Sequence, residues 1–147
     1  MKINLFPAFV ALFSSVGCIV VDSKPDVVVV EEEPVAVNLA PNVNWADGGC
    51  YWDSYYYDDI WVFEADVDDA DSPYDVIEVW ADVYDAYSGL LVDTFELYPT
   101  TDPYYWFSDW LGSSTYLDCW GGHYFVEMVA YDVYQDYDVY TFEPWVE

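Results

Sequence analysis

Three stretches of this chain alternate apolar and polar residues with a period of two. In Trp61-Val62-Phe63-Glu64-Ala65-Asp66-Val67, one face carries Trp61, Phe63, Ala65 and Val67, and Glu64 and Asp66 point away. From 77 to 83 the inner face reads Ile77, Val79, Ala81 and Val83; from 124 to 132 it reads Tyr124, Val126, Met128 and Ala130. A half-buried antiparallel strand requires this pattern, and a helix cannot use it. Leu90 to Tyr98 and Val139 to Trp145 are further strand candidates with less regular alternation. Turn-forming clusters separate the candidates at 68–75, 87–89, 99–103, 112–114, 121–122 and 132–138. No window combines a helical period with capping residues. The expected fold class is all-β, a single antiparallel β-sandwich.

The side-chain inventory supports a packed core. Hydrophobic residues make up 55% of the 147 positions and aromatic residues 22%, which separates the chain from acidic disordered sequences. The charge is lopsided: 29 acidic residues face two basic ones, for a formal net charge of −27. Nucleic acid and anionic membrane faces need Lys and Arg, so both are excluded as partners. Cations, cationic proteins and neutral polysaccharides remain. Adaptation to high salt is a second reading of the same charge.

The N-terminus reads as an address. Lys2 is followed by a largely apolar stretch from Ile3 to Val16, too short to span a bilayer as an ordinary helix. It ends in Ser15-Val16-Gly17-Cys18, which resembles the bacterial lipobox, with Ser15 where that motif usually has leucine. The resemblance implies that residues 1–17 are a signal peptide and that Cys18 is lipidated. With Ile19 next, it also implies outer-membrane or cell-surface placement, with the lipid as the membrane contact. Residues 18–41 carry Val27 to Val30, Glu31 to Glu33 and Pro25, Pro34 and Pro41, and are expected to form an extended tether. The other reading of Val35 to Leu39 is an edge strand. The domain itself is expected over 42–147.

Within that domain, Asp59 to Asp85 is similar to the B and C strands of bacterial immunoglobulin-like, cadherin-like and PKD-like modules. Tyr124-x-Val126-x-Met128-x-Ala130-x-Asp132 resembles their F strand, with Tyr124 in a tyrosine-corner-like position after Gly121-Gly122. The resemblance implies an immunoglobulin-like fold and carries no function.

With Cys18 given to the lipid, Cys50 and Cys119 form an even pair in an oxidising compartment, and a disulfide is expected; two free buried thiols are the alternative. A zinc site is unsupported, because His123 is the sole histidine and no Cys-x-x-Cys spacing occurs. His123 has no serine elbow or suitable cysteine to work with, and it reads as a turn residue, so the chain is expected not to be an enzyme. Asp66, Asp68, Asp69, Asp71 and Asp75 crowd one turn. Carboxylates at such spacings suit Ca²⁺, which takes six to eight oxygen ligands; a solvated acidic turn is the alternative. Asp132, Asp136 and Asp138 are expected to contribute if their loop shares that end. Aromatic excess suggests a contact surface for sugars or proteins, with Trp52, Tyr56, Tyr105, Trp106 and Trp110 as candidate ligand-binding residues. The function expected is a structural or adhesive surface lipoprotein. The alternatives are a carbohydrate- or protein-binding module and a weak calcium-binding domain.

Overall fold

The computed structural model describes residues 37–147. The signal segment, Cys18 and most of the tether lie outside the described residues. Among the described residues, eight strands form one sheet: β1 (Asn42–Asp53), β2 (Asp58–Asp68), β3 (Val76–Asp85), β4 (Leu91–Pro99), β5 (Tyr105–Leu111), β6 (Tyr124–Asp132), β7 (Tyr137–Phe142) and β8 (Trp145–Val146). Their order across the sheet is β7-β6-β3-β4-β5-β2-β1-β8. All neighbours are antiparallel except β1 and β8, which pair in parallel at Gly49↔Trp145 and Cys50↔Val146. The sheet is therefore mixed rather than purely antiparallel. The apposition is intimate, because a Cβ on Gly49 would collide with the ring and carbonyl of Trp145.

Only Tyr98↔Phe107 and Pro99↔Trp106 join β4 to β5. At this narrow seam the sheet curls into a half-barrel, and both flanks turn their apolar faces onto one core. Trp61, Phe63, Ala65 and Val67 enter it from β2, Val79, Ala81 and Val83 from β3, and Val126, Met128 and Ala130 from β6, all buried. Phe63 stacks on Phe95 across this core with ring centroids 5.0 Å apart. Burying such side chains supplies most of the stabilisation, about 1.5–3 kcal/mol for each large one.

The alternation in 61–67 and 124–130 thus places the residues the sequence assigned to the inside. Ile77 is a correction: it faces solvent at 43% exposure, while Val76 is buried. A register shift between Val76 and Glu78 against β6 accounts for it, since one extra residue reverses the facing of its neighbour. Residues 37–40 lie in no strand, which leaves Val37 to Leu39 without the edge-strand conformation considered for Val35 to Leu39. The compact unit nevertheless begins at Val37, ahead of the expected boundary at 42.

Candidate functional site

Cys50 lies on the inner face of β1 opposite Trp61. The loop before β6 brings Cys119 to it, and the two sulfurs are bonded at 2.02 Å. That loop is fixed by its own chemistry. The Asp118 carboxylate accepts from the N–H groups of Trp120 (3.0 Å) and Gly121 (2.9 Å), closing a turn. The Asp118 N–H donates to the Tyr124 hydroxyl at 2.8 Å, six residues downstream. Tyr124 folds back over Gly122 so closely that a Cβ there would meet its ring. Trp120 is held at its far end as well, because its indole N–H donates to Asp59 at 3.1 Å.

The result is a cleft of about 380 Å³ beside the disulfide, lined by Trp61, Trp120, His123, Tyr124, Glu143 and Val146 among others. Trp120 presents an exposed indole as one wall. Tyr87 packs edge-on against His123 at 5.3 Å. His123 and Glu143 supply the imidazole and carboxylate of the cleft, and Cys119 offers no thiol because it is bonded. The arrangement can stack a flat or ring-shaped ligand and hydrogen-bond it. From the sequence, His123 reads only as a turn residue, Trp120 is one of the excess aromatics without being a nominated ligand-binding residue, and Glu143 carries no role. The signal was the Asp118-x-x-Gly121 turn, which predicts a rigid rim but not what it borders.

Cys50, Asp59 and Cys119 are the only three potential metal ligands among the described residues whose donor atoms lie within 4.8 Å of one another. The disulfide consumes both sulfurs and Trp120 occupies Asp59, so this group has no thiolate for a metal.

The acidic turn is organised differently. Asp66 lies on β2 and accepts from the Asn44 amide at 2.7 Å. Asp68 ends β2. Asp69 is buried; one oxygen accepts from the Asp71 N–H at 2.8 Å and the other has no partner. Asp71 accepts from the Leu39 N–H at 2.9 Å. The Asp75 carbonyl accepts from Val133, joining this loop to the one after β6. The second acidic loop does share this end. Asn38 donates to Asp132 at 2.6 Å and to Asp136 at 2.9 Å, and the Val43 N–H donates to Asp138 at 2.9 Å. Burial pushes the Asp132 carboxyl up. The Asn38 amide and the N–H groups of Asp136, Tyr134 and Gln135 outweigh it, holding the pKa below the ordinary value. Amide donors therefore bridge the two loops, and no three of these carboxylates converge within 4.8 Å of one another.

The five nominated aromatic residues do not form one surface. Trp52 is exposed at the end of β1, and Tyr56 is exposed in the following turn with its ring edge-on to Tyr55. Tyr105 lies on the outer face beside Trp45, ring centroids 6.5 Å apart. Its hydroxyl donates to Glu64, and this bond, with burial and the Glu64 charge, pushes its pKa up to about 12. Trp106 and Trp110 face the core, yet each edges a surface pocket, Trp106 beside Tyr74 and Trp110 beside Tyr56. Strand alternation turns 106, 108 and 110 inward, burying Trp106 and packing Trp110 on Phe95 at 5.6 Å. No known family profile matches the chain, and no curated protein or solved structure is detectably similar to it.

Proposed function

We propose that this chain is a non-enzymatic, exported lipoprotein whose β domain serves a structural or adhesive role at the outer membrane or cell surface. The observation that carries this reading is the dispersal of the aromatic residues. Trp106 is buried, Trp110 is half-buried against the core, Trp52 and Tyr56 stand at the β1–β2 hairpin, and Tyr105 lies at the opposite end of β2, so the five supply no single continuous ligand platform. The Cys50–Cys119 link fits an oxidising compartment. The Tyr124 hydroxyl bond to the backbone at Asp118 supports an immunoglobulin-like relationship, since tyrosine corners bond back to the chain a few residues upstream. The Cys18 lipid would tether the domain through the Pro- and Val-rich segment.

The test is complementation in a bacterium lacking the chain, scored by surface attachment and envelope integrity. The intact chain should restore both, and Cys18→Ala, released from the membrane, should restore neither. Full restoration by Cys18→Ala removes the anchored role. The second reading, a sugar- or protein-binding module, is favoured by the cleft walled by Trp120 and served by His123 and Glu143. Loss of adhesion in Trp120→Ala with unchanged surface level would select it.

A further inference from the structure

On the outer face of β3, β4 and β6, across the sheet from the core-facing residues, lies a groove of about 350 Å³. Trp80 and Tyr131 wall it, Val129 floors it, and Glu78, Asp82 and Thr94 line it. The strand register explains the arrangement. Trp80 stands opposite Val129 on one side and Glu96 on the other, while Asp82 stands directly opposite Glu127. Like charges opposite each other across a strand pair destabilise a sheet. Among the described residues the pair has no lysine or arginine beside it, since Lys2 and Lys24 both precede them. Burial, and then the Glu127 charge, pushes the Asp82 carboxyl above its ordinary value. Tyr84 stacks on Phe125 at 5.0 Å, closing the row beyond Asp82. The indole N–H of Trp80 is held by Glu78 at 3.2 Å, which fixes the ring over the groove's edge.

We propose that this groove binds the ammonium group of a lysine side chain presented by a partner protein. An ammonium ion is attracted to an indole face, and here it would also relieve the opposed carboxylates. Lysine fits better than a quaternary ammonium group because its N–H donors can be shared between Glu78, which also holds the Trp80 indole, and Asp82, which also accepts from the Thr94 hydroxyl, with the Glu127 charge on the next strand; a fully methylated nitrogen cannot use these acceptors. An arginine fork needs a coplanar carboxylate partner rather than carboxylates spread over two strands. The long lysine stem would lie along Val129 and Tyr131.

The probe is Nα-acetyl-lysine methylamide, titrated into the ¹⁵N-labelled chain while the Trp80 indole N–H resonance is followed. Choline chloride and sodium chloride at matched ionic strength are the comparison arms. The lysine probe should give a saturable shift with a millimolar midpoint, choline a weaker one, and sodium only a shallow linear drift. Asp82→Asn, which removes the like-charge opposition and so keeps the fold, should weaken the lysine probe by about tenfold. Asp109→Asn on the opposite flank should leave binding unchanged. Equal responses to lysine and sodium, choline binding as tightly as lysine, or an Asp82→Asn curve that overlays the parent would each overturn the proposal.

Discussion

Reducing the Cys50–Cys119 link should cost this domain about 4 kcal/mol. The bonded cysteines are 69 residues apart, so the link removes a large share of the conformations open to the unfolded chain. Loop-closure entropy for a ring of that size gives the quoted figure at 25 °C. Both sulfurs are buried in the core, so replacing them with alanine would mix cavity effects with the loss of the link. Comparing oxidised with reduced wild type leaves nearly every core atom in place and isolates the chain-entropy contribution. Unfolding entropy near the midpoint is about 2.1 cal/mol/K per residue. Over the unit Val37–Glu147, about 110 residues, the loss corresponds to a Tm shift of roughly 15–20 °C. The assay is thermal melting by circular dichroism. One sample is refolded oxidised, and the other is reduced in denaturant and refolded with a phosphine reductant. A reduced sample melting within about 5 °C of the oxidised one would refute the reasoning, because the link would then constrain little that the unfolded chain explores.

Three further outcomes are expected. Tyr124→Phe should cost about 1 kcal/mol through loss of the bond from Asp118, whereas Tyr116→Phe at an exposed position should melt like the parent. Stability should rise from pH 8 into mildly acidic buffer and then fall in stronger acid. The raised Asp82 pKa means its destabilisation is present above the folded pKa and fades as pH falls through it. The lowered pKa values of Asp58, Asp85 and Asp132 mean their stabilisation is present above the ordinary value of 3.8 and is lost as pH falls through the folded one. A monotonic loss of Tm from pH 8 to 5 would contradict this sign. If the turn 66–75 takes Ca²⁺, to which the unpartnered oxygen of Asp69 would be a ligand, tenfold excess over Kd should add about 1.4 kcal/mol. Melting in EDTA, Ca²⁺ and Mg²⁺ at matched ionic strength checks it, and equal shifts for both ions, or an unchanged response in Asp68→Asn with Asp71→Asn, would reduce the cluster to a solvated turn.

How far the fold was legible depended on where local pattern and global packing agreed. β2 and β6 are flanked on both sides and alternate strictly, so 61–67 and 124–130 could be read residue by residue. β1 was missed because Asn42-Val-Asn-Trp-Ala-Asp-Gly-Gly has poor strand propensity. Its glycines are there for close approach, as at Gly49 under Trp145, and that requirement belongs to the partner strand. β5 was missed because Tyr105 to Leu111 is aromatic at most positions, which conceals the alternation that sends Trp106 and Trp110 inward. The parallel pairing of β8 rests on two residues and leaves no periodic trace. At the candidate sites, the cysteine pair followed from parity and compartment. The Trp120 cleft did not, since it joins a loop before β6 to residues after β7, a proximity that only the topology creates.

The anchored, exported role turns on Cys18, and intact-mass spectrometry of the chain purified from bacterial membranes tests it most directly. The expected product is a mature protein beginning at Cys18, carrying the mass of a thioether-linked diacylglycerol and released from the membrane fraction only by detergent. A chain that retains Met1, or one cut elsewhere and recovered without lipid from the soluble fraction, would contradict it.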